Sequence, residues 1–293
     1  SNSRLLSGEL ASKLAGRYVS FEVSPFSFAE YSRAHREQGS ELDNRELFMQ
    51  YVETGGLPFL TTARLDLSAT ANYHRDVFAS VVLNDIAARY QIRDIDQLRR
   101  LIYYLTAQIG TPVSATGISH FFRSENRSIS PETILNYIRY CEDAYLFHAV
   151  RTSDLLGKQT LRVNEKYYLT DHGLRESIVG ENRSSIERVL ENIVYMELRR
   201  RFDSVHIGRV TVYEKAGPRN LEVDFVCRKG REKSYFQVAY LLASEKTIER
   251  EFRSLKAIPD NYPKFVLSWD DFDMSRDGIR HMNIRDFLVS ETT

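Results

Sequence analysis

E-V-D-F-V-C-R-K-G-R-E-K-S-Y-F-Q-V-A-Y, residues Glu222–Tyr240, reads as two β-strands, Glu222–Arg228 and Ser234–Tyr240, around a Lys229-Gly230-Arg231 turn. Alternate residues of a strand share one face, which places Gln237 and Ala239 together on the second strand. If the two strands pair, Asp224 and Gln237 come near each other. Outward from this hairpin, Ser185–Arg201 reads as a helix whose apolar stripe is Val189, Leu190, Ile193, Val194 and Leu198. Val205–Tyr213 reads as a strand, Ser244 caps a helix through Ala257, and Lys264–Trp269 reads as another strand. Helix, three strands, helix, strand predicts an α/β sandwich with a mixed sheet over residues 184–293.

The preceding stretch, residues 94–183, has a different texture. Asp96–Ile109 is a helix with Leu98, Leu101, Ile102 and Leu105 on one stripe, ended by Gly110-Thr111-Pro112. Ser114 caps a short helix through Phe122, and Ser130-Pro131-Glu132 starts a third that runs to Ala144. Strands at Phe147–Arg151 and Lys166–Leu169 flank a polar loop, and Asp171 then caps a short helix. Three helices and a two-stranded wing is the order of a winged helix-turn-helix.

Residues 1–93 are mainly helical. Helices are expected at Arg4–Ala15, Ser27–His35, Arg45–Glu53 and Ala69–Arg89, with one strand at Tyr18–Val23. Ser1-Asn2-Ser3 runs at once into Arg4-Leu5-Leu6, as though an element were joined part-way, by an expression scar or a boundary within a longer chain.

The 293 residues suit two or three domains. Hydrophobic residues at 42% and charged ones at 27% are globular values, which excludes a fibrous or wholly disordered chain. Forty basic residues balance forty acidic ones, so no strongly basic nucleic-acid binder is indicated, although a local patch can hide in the total. Cys141 and Cys227 are too few for a disulfide framework, which suggests a reducing cytoplasm. No apolar run approaches the ~18–20 residues of a membrane span, so no membrane partner is expected.

The sequence lacks a G-x-x-x-x-G-K-[ST] loop, G-x-G-x-x-G, H-E-x-x-H, a C-x-x-C pair and G-x-S-x-G. It therefore shows no nucleotide site, metal site or nucleophilic triad of its own. Six segments, in order, carry a resemblance: L-A-G-R-Y-V (Leu14–Val19), S-P-F-S-F-A-E-Y (Ser24–Tyr31), E-T-G-G-L-P (Glu53–Pro58), L-N-D-I-A-A-R-Y (Leu83–Tyr90), E-N-I-V-Y-M-E-L (Glu191–Leu198) and E-V-D-F-V (Glu222–Val226). They resemble a prokaryotic family of AAA-superfamily P-loop ATPases with a C-terminal domain of uncharacterised function. The resemblance implies three parts: a remnant of the ATPase domain with a helical lid (1–93), a winged helix-turn-helix (94–183), and a restriction-endonuclease-like domain of the PD-(D/E)xK type (184–293). It also implies that ATP and Mg²⁺ belong to a preceding part of the full-length protein, with Ser3 and Arg17 closest to nucleotide. An Arg at the end of a helix, as Arg17 is, also serves the helix dipole alone.

PD-(D/E)xK chemistry needs an acid on one strand and a Glu-x-Lys on the next, so that acids hold Mg²⁺ and the Lys orients water. Glu191 and Asp224 fit the acids. Gln237 and Ala239 stand where the Glu and the Lys would be, and an amide is a poor Mg²⁺ ligand. A degenerate, non-cutting fold is the preferred reading, with salt-bridging of Asp224 near Arg228 as the plain alternative. For DNA, the would-be recognition helix offers Glu132, Glu142 and Asp143 against Arg139, whereas the wing offers Arg151, Lys158, Arg162 and Lys166. The adjacent aromatic pairs Tyr103-Tyr104, Phe121-Phe122 and Tyr167-Tyr168 could stack on bases and are assigned no role. The sequence thus predicts a non-catalytic target-recognition or effector portion of an ATPase, acting on a protein or DNA. A metal-dependent nuclease using Glu191 and Asp224, or a winged-helix DNA-binding regulator, are the alternatives; self-association is left open.

Overall fold

A seven-stranded mixed sheet in the order β2-β1-β3-β4-β5-β6-β7 organises the chain. This computed structural model describes residues 21–63, 65–155, 160–180, 182–215 and 217–290, by backbone alone at 67, 154 and 160–164. The strands are β1 (Phe147–Asp154), β2 (Thr160–Leu169), β3 (Ser204–Glu214), β4 (Gly217–Lys229), β5 (Glu232–Val238), β6 (Lys264–Ser268) and β7 (Arg280–Asn283). Eleven α-helices occur among the described residues. They are α1 (Phe28–Glu37), α2 (Asn44–Thr54), α3 (Pro58–Ala63), α4 (Leu67–Ser80), α5 (Ile95–Ala107), α6 (Ala115–Ser124), α7 (Pro131–Asp143), α8 (Gly173–Ile178), α9 (Ile186–Arg201), α10 (Glu245–Lys256) and α11 (Ile284–Val289). A π-helical turn, Val81–Ala88, extends α4. No helix among the described residues is long and apolar enough to cross a membrane.

The capping serines act as their positions predict. Ser114, Ser130 and Ser244 each accept a hydrogen bond from the backbone N–H three residues on, opening α6, α7 and α10. Ser27 and Glu30 form a reciprocal capping box at the start of α1. The hairpin that anchors the reading forms as expected: β4 and β5 are antiparallel, with Phe225 opposite Phe236 and Lys229 opposite Glu232.

Two expectations change. The strand expected over Tyr18–Val23 is absent at residues 21–23, and 18–20, with the helix expected at Arg4–Ala15, lie outside the described residues. The wing strands are not a separate ribbon, because β1 runs parallel to β3, pairing Thr152 with Ile207 and Asp154 with Arg209. Strands from the 94–183 and 184–293 regions therefore share one sheet.

One sheet face packs on α1, α2, α9 and α11, burying Phe28, Phe48, Phe225, Phe236, Phe265 and Phe287 in one core. The other face packs on α10 through Ile248, Phe252 and Leu255. Helices α5–α7 form their own core with Phe147, Tyr167 and Leu169 at the end of the β1–β2 ribbon. Each of these buried aromatic side chains contributes roughly 1.5–3 kcal/mol of transfer free energy.

Candidate functional site

Strand β4 is interrupted where the candidate acid sits. Val226 pairs with His206 and Val223 with Gly208, so Asp224 and Phe225 both stand opposite the single Ile207. This bulge breaks the strict alternation and turns Asp224 as well as Phe225 toward the face covered by α9; bulges re-aim side chains in this way. Beyond the Phe225–Phe236 pair, β5 leaves β4 to follow β6, and the gap so opened is filled by the Asp224 carboxylate. Its Oδ2 accepts the Val238 N–H at 2.8 Å, while its own N–H donates to Gln237 Oε1 at 3.4 Å.

The sequence-predicted residues Glu191, Asp224, Gln237 and Ala239 do converge on one cleft of about 240 Å³, together with Glu251, Arg188 and Arg250. Gln237 is fully engaged. Its Nε2 donates to Glu251 Oε2 at 3.2 Å, and its Oε1 also accepts from Ser254 Oγ at 3.2 Å. Both lone pairs of that oxygen are thus occupied. Ala239 is buried against α10 and presents no polar atom. Arg228 pairs across the strands with Ser204 and Lys233 in register, and no ion pair joins it to Asp224 among the described residues.

A residue expected on the DNA-binding wing completes the cluster. Lys166 donates through Nζ to Glu191 Oε1 at 3.0 Å and pairs with Glu222 Oε1 at 2.7 Å; its side chain is 3% exposed. Tyr168, two residues on and on the same strand face, donates its hydroxyl to Glu191 Oε1 at 2.6 Å. Lys166 is therefore removed from the wing's basic set. Its strand is part of the main sheet, and inward-facing residues of that strand meet α9 rather than solvent. Of the remaining wing cations, Arg151 is exposed and lies 3.4 Å from Glu165, while Lys158 and the Arg162 side chain lie outside the described residues. Ser3 and Arg17 lie outside them as well. Tyr167 and Tyr168 are both buried, in different cores, so neither is available for stacking.

Burial pushes the Asp224 carboxyl well above the usual carboxylate range, and Glu191 beside it adds to the rise, against the pull of Lys166 and the Val238 N–H. Burial works against the Lys166 charge, but the carboxylates of Glu191, Asp224 and Glu222 outweigh it and raise its pKa. Among the described residues no group of three or more His, Cys, Asp or Glu side chains is arranged to hold a metal ion. The cation that compensates these acids is a lysine. Sequence reasoning placed Lys166 on the DNA-facing wing and missed Glu222 and Glu251. Glu222 was within reach, as the partner of Asp224 two residues away, whereas Lys166 depends on the non-local pairing of β1 with β3.

A second buried charge lies where the E-T-G-G-L-P segment meets the end of the wing. Asp171 accepts N–H bonds from Gly56 and Gly173, each at 2.8 Å. His172 donates from Nε2 to the Tyr51 carbonyl at 2.6 Å. Gly55 takes φ +74°, and a Cβ there would run into Asp171 Oδ1 and come within 2.8 Å of Gly173 N. The glycine pair lets two backbone segments close on one carboxylate.

The fold and this cluster define a mixed α/β protein with a lysine-neutralised carboxylate site at a sheet bulge. A family described as "Domain of unknown function (DUF8612)" matches residues 45–185. An uncharacterized protein of Haemophilus influenzae is 35% identical over 290 residues, spanning 99% of this chain and 69% of that protein. The chain belongs to the same family as that protein. Uncharacterized protein MJ1544 of Methanocaldococcus jannaschii is 29% identical over 268 residues, spanning 89% of this chain and 58% of that one. Protein VC1899 from Vibrio cholerae, a solved structure, aligns with a TM-score of 0.25 at 10% identity over 94% of this chain and 61% of that chain, too low to carry a fold argument.

Proposed function

We propose that this chain is the non-catalytic target-recognition and effector portion of a longer prokaryotic AAA-superfamily P-loop ATPase. ATP and Mg²⁺ would be handled by another part of the full-length protein, and this portion would engage a protein or DNA target. In this reading residues 94–183 are a winged helix-turn-helix and residues 184–293 a degenerate nuclease-like domain. The helix order α5–α6–α7 followed by β1–β2 supports the first, and the meeting of Glu191 and Asp224 in one cleft supports the second.

The observation that carries the non-cutting reading is Lys166. A catalytic lysine must face the attacking water beside a metal held by acids. Lys166 instead bonds directly to Glu191 and Glu222, and Gln237 has spent its oxygen on Ser254 and the Asp224 N–H. A metal would have to displace an ammonium already paired in a buried setting. The same lysine favours the second reading, a metal-dependent nuclease, because it supplies beside three acids the cation that Ala239 cannot. Incubation of the chain with plasmid and single-stranded DNA in Mg²⁺ and Mn²⁺ separates them. Intact DNA is expected; cleavage that disappears in Asp224→Ala and Lys166→Met would overturn the proposal in favour of the nuclease.

A further inference from the structure

A second cleft, larger than the carboxylate site, lies elsewhere in the molecule. It is a groove of about 640 Å³ where α4, α5, α6 and α8 meet. Its walls are Phe78, Tyr103, Tyr104, Phe121, Phe122 and Ile178. Two of these are unusually open for aromatic side chains beside a core: Tyr103 is 51% exposed and Phe121 41%. Tyr104 and Phe121 stand face to tilted face at 4.8 Å, so the wall is a continuous aromatic surface. The volume lies in the ~300–1,000 Å³ range of small-molecule sites, and grooves between helices are one of their common positions.

Charge at the rim is one-sided. Arg75, Arg99 and Arg100 line the groove against Glu125 alone. Arg100 is bound to Asp96 at 3.0 Å, an acid it shares with Arg127 at 2.9 Å. Arg75 and Arg99, from α4 and α5, have no acidic partner among the described residues. An apolar body fits the walls, and an acidic group is what two uncompensated guanidinium groups on the rim select, since charge-assisted bonds to carboxylate or phosphate are the strong ones. Gln108 and Ser177 add polar groups at the edge.

We propose that this groove binds a small organic anion, its aromatic or aliphatic body against Tyr103, Tyr104 and Phe121 and its acidic group at Arg75 and Arg99. The site is independent of the ATPase and nuclease readings. It is lined by residues of α4, α5, α6 and α8.

The test is a fluorescence titration of the whole chain with 1-anilinonaphthalene-8-sulfonate, an aromatic anion of this class. Saturable binding at one site is expected, displaced by indole-3-acetate and far less by the neutral indole-3-acetamide. The exposed-residue variants Phe121→Ser and Arg75→Ala/Arg99→Ala should melt as the native chain does and weaken binding roughly tenfold or more, the worth of a charge-assisted bond. Non-saturable binding, or unchanged affinity in both variants, overturns the site. Equal displacement by acid and amide overturns its anion selectivity, and with it the proposal.

Discussion

Asp171 and Asp224 are both carboxylates buried in this fold, and they are accommodated in opposite ways. Asp171 is held by backbone, with the N–H groups of Gly56 and Gly173 bound to it and His172 tying the same junction to Tyr51, while the buried His74 is a nearby charge partner. Asp224 is balanced by side chains, with Lys166, Glu191 and Glu222 around it and a cleft of about 240 Å³ alongside. Backbone enclosure fixes two chain segments against each other. Side-chain compensation leaves groups that can be exchanged one at a time while the fold stands, which is what a site of chemistry, active or lost, requires. The same net burial of charge thus gives a clasp in one place and a candidate site in the other.

Gly55→Ala should break the clasp with the largest effect. The added Cβ meets the Asp171 carboxylate and Gly173 backbone, in a left-handed conformation suited to glycine. Strain and overpacking together should cost about 4 kcal/mol in urea unfolding; a loss near that of an exposed surface change would show that the clasp yields.

How far each centre was legible in the sequence follows from the same contrast. The glycine pair at 55–56 was visible as a motif, yet its purpose depends on Asp171, which lies far along the chain. Glu191, Asp224 and Gln237 were singled out by the resemblance to the PD-(D/E)xK pattern; local pattern placed their helix and hairpin, but not the bulge that turns Asp224. Lys166 was read as a wing cation because nothing local shows that β1 pairs with β3. Strand β7 and helices α3 and α11, of four to six residues, are too short for periodicity to reveal.

His172 sharpens the comparison through pH. Burial lowers its pKa to about 4 from the usual 6.5, and its Nε2–H is committed to the Tyr51 carbonyl. A group whose folded pKa is depressed lends stability above its unfolded pKa and loses it as pH falls toward the folded value. The native chain should lose about 3 kcal/mol between pH 6.5 and 4 on this account, and a His172→Gln variant should lose correspondingly less. Equal pH slopes in the two chains would remove His172 from the clasp's energetics.

The smallest effect belongs to Asp224. Its folded pKa is raised, so its contribution is present at pH below the unfolded carboxylate value and declines as pH rises toward the folded one. Asp224→Asn keeps an acceptor for the Val238 N–H and removes the cost of ionisation. The unfolding free energy from urea titration should shift by about 1 kcal/mol or less at pH 7, toward greater stability of the variant and more so than at pH 4. A loss above ~2 kcal/mol would mean that the ionised form is required by Lys166.

The most direct measurement of the central claim is a double-mutant cycle between Lys166→Met and Glu191→Gln, read by urea unfolding at pH 7. Removing one member of a buried pair strands the other, so Lys166→Met alone should cost about 3 kcal/mol. If Lys166 is the built-in counter-charge of the carboxylate site, the double variant should recover part of that loss, with a coupling energy of about 2 kcal/mol. Additive losses, with coupling within ~0.5 kcal/mol of zero, would contradict it.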